Sequence, residues 1–180
     1  MPIFKEGQMF QAPGYLIVTT NSFLTSEKKL VMGMGAARDL KVKVAGIDVK
    51  FGELIHTFCK HLGKYGLIFH DRYGAFQVKY RFNDKARTDL IRFSVAALTA
   101  AANNNSKEIF NINYPGIGNG GLKEHEVRPI LEVLPENVHV WKKREVSYGL
   151  YLLHWAGCRH GFKEWNFRLH SPYPICSENR

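Results

Sequence analysis

The chain lacks the long apolar runs that mark membrane-spanning and secreted proteins. No apolar stretch among its 180 residues approaches the roughly 20 residues that a helix needs to cross a bilayer. The first ten residues, MPIFKEGQMF, have no apolar core and no small-residue cleavage site, so we expect no secretory signal there. These absences predict a cytoplasmic protein without a membrane partner.

Cysteine is also scarce, and the chain contains no internal repeat. The 3 cysteines, Cys59, Cys158 and Cys176, are odd in number and lack the paired spacing of a zinc site. We therefore expect no metal and no disulfide framework, and this usage fits a reduced cytosolic compartment. Hydrophobic residues make up 45% and charged residues 23%, which is typical of a folded globular domain and not of a disordered chain.

The formal net charge is +9, and its basic residues are densest at 77–92 and 142–144. A basic surface attracts nucleic acid and also favours a site that holds phosphates. A solvated surface of a soluble protein explains the same charge. Charge therefore leaves a polyanion partner such as DNA open without selecting it, and the sequence carries no signal for an oligomeric state.

Short β-branched runs alternate with amphipathic runs along most of the chain. The β-branched runs predict strands at 14–21, 65–70, 75–80, 107–114 and 137–141. Helical spacing predicts one helix that begins in the glycine loop at 32–36. It predicts three further helices, which span 51–63, 84–105 and 123–134. Strands that alternate with helices predict an α/β layer fold with a mixed, largely parallel sheet.

Some of these elements carry finer expectations. Strand 75–80 is expected to alternate between inward and outward side chains, and Pro129 to lie in the first turn of its helix. Helix 51–63 is expected to bury Leu54, Ile55, Phe58 and Leu62 and to stop at Gly63. We place the main domain at 1–141 and predict that 142–180 forms an extension packed on it.

Two strand-to-helix junctions are rich in glycine: VMGMGAA at 31–37 and PGIGNGG at 115–121. Glycine allows positive φ and lets a ligand approach the backbone without meeting a Cβ atom. Backbone N–H groups in such loops, with the helix N-terminus behind them, can bind anions. Two facing loops could hold the two phosphates of a diphosphate. A tight turn is the plain alternative for each loop, because neither matches the dinucleotide fingerprint or the P-loop.

The two junctions resemble the signatures of the macro domain, an ADP-ribose-binding module with a three-layer α/β/α fold. The first resemblance is IVTTNSFLTSEKKLVMGMGAARDLK at 17–41, in which an asparagine follows a strand and a Met-Gly-x-Gly-x-Ala segment opens a helix. The second is NYPGIGNGGLKEHEVRPIL at 113–131, similar to the family's Pro-x-[ILV]-Gly-x-Gly-x-Gly-Leu pattern. The resemblance covers roughly residues 8–141 and implies the macro-domain fold.

Within that family, both motifs look most like the DarG-type antitoxin branch, which removes ADP-ribose from thymidine in DNA. That branch carries a Phe-x-x-Lys-x-x-Trp stretch whose lysine is important for hydrolysis. FQVKYRF at 76–82 matches its phenylalanine and its lysine, Lys79. The branch has proline, histidine and tryptophan where this chain has Gln77, Arg81 and Phe82.

The resemblance implies roles for individual residues. Asn21 would lie near the distal ribose of ADP-ribose, and Glu6 is the nearest carboxylate that could meet the adenine amine. The backbone of the first loop would wrap the ribose and a phosphate, and that of the second would clasp the diphosphate. The implied ligand-binding residues of the two loops are Met32, Gly33, Met34, Gly35, Ala36, Pro115, Ile117, Gly118, Asn119, Gly120 and Gly121.

Catalysis at the anomeric carbon of ADP-ribose needs a nucleophile or an activated water. Lys79 could be that nucleophile if burial or neighbouring cations lower its pKa, but it could also be a fixed cation or a surface lysine. Some macro hydrolases pair a lysine with an aspartate in the second loop, but residues 116–122 contain no carboxylate. His70 ends a predicted strand and could reach the site, although a structural role fits it better. Four other titratable side chains also fit structural or surface positions better: Asp39, Asp71, His125 and Cys59.

Three functions remain open at this stage. The first is a hydrolase that removes ADP-ribose from modified DNA or, as a second choice, from protein. The second is a phosphatase that acts on ADP-ribose 1″-phosphate. The third is a non-catalytic reader of ADP-ribose. In each case ADP-ribose is the ligand or product, the partner is ADP-ribose or an ADP-ribosylated macromolecule, and no other cofactor is expected.

Overall fold

The structure, a computed structural model, describes residues 1–59 and 63–144. The expected extension at 142–180 therefore lies outside the described residues from position 145 onward, as do Leu62, Cys158 and Cys176.

Six strands form one mixed sheet. They are β1 (Ile3–Glu6), β2 (Tyr15–Thr20), β3 (Leu67–His70), β4 (Tyr73–Gln77), β5 (Phe110–Asn113) and β6 (Val138–Lys142). Their order across the sheet is β1-β6-β5-β2-β4-β3. Every neighbouring pair is parallel except β3 and β4, which form an antiparallel hairpin at one edge. The predicted mixed, largely parallel sheet is confirmed.

Four helices cover the sheet: α1 (Gly35–Lys43), α2 (Ile47–Phe58), α3 (Thr88–Asn104) and α4 (Glu124–Leu131). The side chains of α1 and α2 pack in one hydrophobic cluster, and those of α3 and α4 pack in another. The central strand β2 supplies both clusters, because successive strand residues point to opposite faces. Ile17 faces α3 and α4, whereas Leu16 and Val18 face α1 and α2. The fold is thus the expected three-layer α/β/α arrangement.

Strand β4 differs from its prediction. It spans Tyr73–Gln77 instead of 75–80, and the residues from Gly74 to Val78 are all buried. The predicted alternation is wrong because β4 lies between β2 and β3 with helices on both faces, and such strands have no polar side.

Three helices also end or begin elsewhere than predicted. Helix α2 ends at Phe58, which is 74% exposed, so neither the stop at Gly63 nor burial of Phe58 is correct. Helix α3 begins at Thr88, because residues 84–87 are drawn into a loop by contacts with the rest of the chain. Pro129 lies in the second turn of α4, and that helix ends two residues later at Leu131.

Strand β1 has no counterpart in the sequence-based assignment. Its four residues pair with β6 from Ile3↔His139 to Glu6↔Lys142. A four-residue edge strand carries too short a pattern to be recognised without its partner.

Candidate functional site

The two glycine loops follow neighbouring strands, β2 and β5, at the same edge of the sheet. After β2 the chain passes through α1 and α2 toward β3 and β4, whereas after β5 it passes through α4 to β6 on the other side. The two connections therefore leave in opposite directions and cover opposite faces. Parallel sheets bind their ligands in the crevice that opens at such a switch point, beyond the carboxyl ends of the strands.

The side chain of Asn113 bridges β2 and β5 where their backbones separate. The paired register ends at Ile17↔Ile112. Beyond it, the amide N–H of Thr19 donates to Asn113 Oδ1 at 2.8 Å, and Asn113 Nδ2 donates to Thr19 Oγ1 at 2.9 Å. Asn113 thus replaces the missing strand contact and fixes the floor of the crevice. The sequence motif contained this asparagine, but only the register shows its task.

Asn21 holds the entrance to the first glycine loop. It is buried directly after β2, its Nδ2 donates to the carbonyl of Val31 at 2.8 Å, and its Oδ1 accepts the N–H of Phe23 at 2.8 Å. The chain between these points forms a small hairpin closed by the N–H of Val31 donating to the carbonyl of Phe23 at 3.1 Å. Both polar ends of the Asn21 side chain are therefore engaged in shaping the loop.

The first loop then presents its backbone at the start of α1. Met32 anchors it, because its side chain is buried in the cluster beneath α1 and α2. Gly33 is exposed, and a Cβ atom built on it meets nothing within 4 Å. Met34 is 68% exposed, and Gly35 and Ala36 open the helix. The first amides of a helix have no acceptor within the helix, so they are available to an anion there.

The second loop combines packed and open glycines. A Cβ on Gly116 would lie 2.9 Å from side-chain atoms of Ile91 and Leu122, so this glycine is required by close packing. Gly118 and Asn119 are exposed and open a 3₁₀ turn, and a Cβ on Gly118 would meet nothing within 4 Å. Their amides have no acceptor within that turn. The remaining implied ligand-binding residues are the buried Pro115 and Gly120, the half-buried Ile117 and the exposed Gly121.

The two loops meet across the crevice. The position that a Cβ on Gly35 would occupy lies 3.5 Å from Nδ2 of Asn119. Gly35 begins α1 and Asn119 lies within the 3₁₀ turn after β5, so the two connections that leave the switch point lie close together here. The open sides of Gly33 and Gly118 belong to the same two loops.

The segment that carries Lys79 connects both sides of the crevice. At one end, the N–H of Val78 donates to the carbonyl of Thr20 at 3.0 Å, and the N–H of Ser22 donates to the carbonyl of Tyr80 at 3.1 Å. At the other end, the N–H of Ala86 donates to the carbonyl of Gly120 at 2.8 Å. The three sequence motifs therefore lie together, and the loop at 78–87 joins the end of β2 to the second glycine loop.

The Lys79 side chain is half-buried and folds over its own loop. Its Nζ donates to the carbonyl of Phe82 at 2.9 Å and to that of Asp84 at 3.1 Å. Burial lowers the pKa of Lys79 from its ordinary value, and the Asp84 carboxylate acts in the opposite direction. Two carbonyl acceptors suit an ammonium group, whereas burial favours the neutral amine. The geometry thus gives Lys79 a fixed position and a proton that is easier to lose.

The buried side chain of Gln77 lies close to Lys79 in the chain and is hydrogen-bonded to several backbone groups. This fully buried side chain accepts the N–H of Tyr65 at 2.8 Å and donates to the carbonyl of Gly63 at 2.6 Å and, more weakly, to that of Lys79 at 3.4 Å. It therefore ties the 63–66 loop to the Lys79 backbone. The DarG-type stretch that 76–82 resembles has proline where this chain has Gln77, and a proline side chain could make none of these hydrogen bonds.

Tyr65 supports Asn21 in a similar way. Its buried hydroxyl donates to the backbone carbonyl of Asn21 at 3.0 Å and contacts the Thr20 hydroxyl in a second hydrogen bond. Burial raises the pKa of Tyr65 above its ordinary range. The sequence marked Gln77 only as a departure from the resembled motif and gave no signal for Tyr65, whose hydrogen-bond partners Thr20 and Asn21 lie more than 40 positions away.

The other titratable residues lie away from the crevice or on the surface. His70 pairs with Tyr73, and Tyr73 in turn pairs with Leu16 near the start of β2. Because β3 runs antiparallel to β4, its last residue, His70, lies at the opposite end of the sheet from the crevice. Asp71 occupies the exposed turn after β3. Four candidate residues remain. Glu6, Asp39 and His125 are exposed, and the thiol of Cys59 is partly buried against the cluster beneath α1 and α2.

Among residues 1–59 and 63–144, no group of three or more potential metal ligands is brought together. Within the same ranges, no helix has both the length and the apolar character needed to cross a membrane.

Solved structures share this fold. The macrodomain of Thermus aquaticus DarG is 21% identical, with a TM-score of 0.56 over 81% of this chain and 98% of that chain. The macrodomain of Mycobacterium tuberculosis DarG is 17% identical, with a TM-score of 0.62 over 78% and 97%. Thermosipho africanus DarTG, solved in complex with ADP-ribose, is 17% identical, with a TM-score of 0.63 over 79% of this chain and 42% of that chain.

No protein-family model and no curated protein sequence matches the chain. The structural likeness therefore rests on backbone arrangement and not on sequence identity. The mixed, mostly parallel six-stranded sheet with its four helices matches the fold of these macrodomains. The chain thus has the macrodomain fold.

Proposed function

We propose that this protein binds ADP-ribose in the crevice between the two glycine loops. The observation that carries this proposal is the approach of Gly35 to Asn119, which closes two backbone loops around the end of β2 and β5. Backbone amides at two turn starts suit the two phosphates of a diphosphate. Each loop also has open space on one side, next to Gly33 in the first loop and next to Gly118 in the second, and this space leaves room for the diphosphate of the ligand. The solved relative with bound ADP-ribose supports the same ligand.

We further propose that the bound ADP-ribose is released from modified DNA, with thymidine as the modified base, and that an ADP-ribosylated protein is the second choice of substrate. The position of Lys79 supports hydrolysis, since its segment bonds to both sides of the crevice. A neutral Lys79 amine attacks the anomeric carbon as the bond to the base breaks, and the departing base takes up the proton that the amine gives up. Water then attacks the same carbon and breaks its bond to the lysine nitrogen, which releases ADP-ribose and the free amine. A charged Lys79 would instead hold the substrate while water attacks directly.

A non-catalytic reader is the second candidate, and one feature of the site favours it. Lys79 Nζ is occupied by the carbonyls of Phe82 and Asp84, and the second loop offers no carboxylate as a partner. A reader needs only the two glycine loops and no group that activates a nucleophile. The two candidates therefore differ in turnover and not in affinity for ADP-ribose.

Three measurements test these proposals. Calorimetry of the wild type with ADP-ribose should show micromolar affinity, or about −8 kcal/mol. Incubation with a thymidine-ADP-ribosylated oligonucleotide should release ADP-ribose, and phosphate release from ADP-ribose 1″-phosphate is followed in parallel to detect phosphatase activity. Binding without turnover on any conjugate would select the reader. Absence of measurable affinity for ADP-ribose would remove all of these functions.

A further inference from the structure

Two phenylalanine rings lie exposed beside the candidate site. Phe23 is 40% exposed and Phe82 is 53% exposed, and their ring centroids are 5.6 Å apart at an interplanar angle of 67°. An edge-to-face pair supports itself but leaves ring faces open to a further partner. Exposed aromatic faces of this kind are the surfaces on which nucleobases stack in single-stranded nucleic acid complexes.

The same segments build the ring pair and the candidate site. The N–H of Phe23 donates to Oδ1 of Asn21 at 2.8 Å, and the carbonyl of Phe82 accepts Nζ of Lys79 at 2.9 Å. Ser22 and Tyr80 join the two segments through a backbone hydrogen bond of 3.1 Å. The ring pair is therefore built on the two segments that carry Asn21 and Lys79, and these segments are hydrogen-bonded to each other.

The charge around the rings suits a polyanion. Residues 79–87 contain four basic side chains and one acidic side chain. Arg81 and Lys85 are exposed on either side of Asp84, whose Oδ2 accepts the N–H of Arg81 at 3.0 Å. Aromatic rings flanked by cations offer a nucleic acid strand both stacking and phosphate contacts. An acidic peptide would use the cations but would gain little from the ring faces.

We propose that the Phe23–Phe82 pair stacks a nucleobase of the single DNA strand that carries the ADP-ribose, an inference that rests on the proposed hydrolysis of modified DNA. The pair recognises the strand by its base planes, and Arg81 and Lys85 attract its phosphates. Bases inside a duplex cannot present their faces, so the surface selects a single strand over a duplex.

The test measures fluorescence anisotropy of a labelled ten-nucleotide thymidine strand with the wild type and four variants. Phe82→Leu and Phe23→Leu keep an apolar side chain but lose the stacking face, and each should weaken binding about 5-fold to 100-fold. Phe82→Trp should bind within about twofold of the wild type, because its ring stacks at least as well. Phe93→Leu is the matched control. Phe93 lies on α3, is 43% exposed, and packs against Gly66 and Lys64. That variant should bind the strand as the wild type does.

Each result bears on the inference separately from the proposed function. The inference fails if the wild type does not bind the strand, if it binds the matching duplex equally well, or if Phe82→Leu and Phe23→Leu bind like Phe93→Leu. Ring-dependent binding of an acidic peptide in place of the strand would also overturn it. Calorimetry on the same samples measures ADP-ribose affinity and so tests the crevice independently of the rings. If the protein binds ADP-ribose but its DNA binding does not depend on the rings, only this inference is refuted.

Discussion

The backbone of Gly35 and the side chain of Asn119 lie close together at the switch point of the sheet, although 84 positions separate these residues in the chain (119 minus 35). The place of a Cβ on Gly35 is 3.5 Å from Nδ2 of Asn119. The start of α1 therefore lies beside the 3₁₀ turn after β5. This proximity also locates the candidate ligand crevice, because the open glycines of both loops lie within a few residues of it.

Gly33 gives the most direct test of that crevice. Its φ is not in the left-handed region, and a Cβ there meets nothing within 4 Å, so Gly33→Val should fold normally. We expect the free energy of unfolding to change by about 0.5 kcal/mol or less, as for ordinary surface substitutions. ADP-ribose affinity should fall about tenfold or more, because the new side chain occupies the ligand's space. Gly33→Ala should give an intermediate loss; calorimetry and urea unfolding measure the two effects, and unchanged affinity in Gly33→Val would place the ligand elsewhere.

Lys79 should separate turnover from binding. Lys79→Met is expected to lower kcat about 100-fold or more, in the range of a lost general base or nucleophile, while ADP-ribose affinity changes little. Lys79→Arg retains the charge but cannot become a neutral nucleophile. Recovery of turnover in Lys79→Arg would therefore identify Lys79 as a fixed cation, and continued inactivity would favour a neutral amine. Equal turnover of Lys79→Met and wild type would exclude both roles.

The pH dependence of turnover follows from the same side chain. Burial lowers the pKa of Lys79, so its neutral fraction at a given pH exceeds that of an exposed lysine. If the amine attacks, kcat/KM should rise with pH and level off above the pKa of Lys79, which is below the ordinary lysine value. The pH-rate profile of the wild type with the modified oligonucleotide measures this rise. A profile that is flat or falls across the alkaline range contradicts the nucleophilic route.

Gln77 should be important for stability. Gln77→Leu leaves the amide of Tyr65 and the carbonyl of Gly63 without their buried partner. Since each unsatisfied buried group costs about 1–3 kcal/mol, the free energy of unfolding should fall by about 2–5 kcal/mol. Gln11→Leu is the control, because Gln11 is exposed and its side chain donates an exposed hydrogen bond to the Gln8 side chain at 3.2 Å. Urea unfolding of the two variants should differ clearly; similar midpoints would show that the Gln77 contacts contribute little.

The hydroxyls of two buried tyrosines should behave oppositely. Tyr65→Phe removes the donor to the Asn21 carbonyl, so it should cost about 1–2 kcal/mol of stability and weaken ADP-ribose binding. The Tyr114 hydroxyl has no hydrogen-bond partner within the described ranges, and burial, with the nearby Glu124, raises its pKa to about 12. Tyr114→Phe should therefore be neutral or stabilising. Thermal unfolding of both variants measures the difference, and a larger loss in Tyr114→Phe than in Tyr65→Phe would contradict it.

Asp48 should make stability depend on acid pH. Burial opposes ionisation of this carboxyl, but the Lys41 ammonium at 2.8 Å outweighs it, with help from backbone N–H groups, and lowers the pKa of Asp48. A lowered pKa contributes stability that is present above the unfolded pKa and is lost as pH falls through the folded value. Lys41→Met should therefore destabilise the protein at pH 7 and have a smaller effect near pH 3. Urea unfolding at both pH values checks this; a larger effect at the acid pH would reverse the assignment.

The periodicity of the chain was enough to predict a layered α/β fold, because hydrophobic alternation and helical spacing are local properties. The same patterns missed β1 and misplaced the start of α3. Four residues at a sheet edge carry little signal, and residues 84–87 leave the helix because Ala86 and Arg87 bond to Gly120 and Val78. The alternation expected for β4 failed because helices cover both faces of the sheet there, so that neither side of the strand faces solvent.

The sequence by itself determined the two glycine loops, the asparagine after β2 and the lysine between them, since each belongs to a short contiguous motif. Only the tertiary structure decided that these motifs meet, that Asn113 closes the gap between β2 and β5, and that Tyr65 holds Asn21 in place. The physical reason is that hydrogen bonds and side-chain contacts form between residues tens of positions apart. Their partners are chosen by the order and direction of the strands, which no local pattern records.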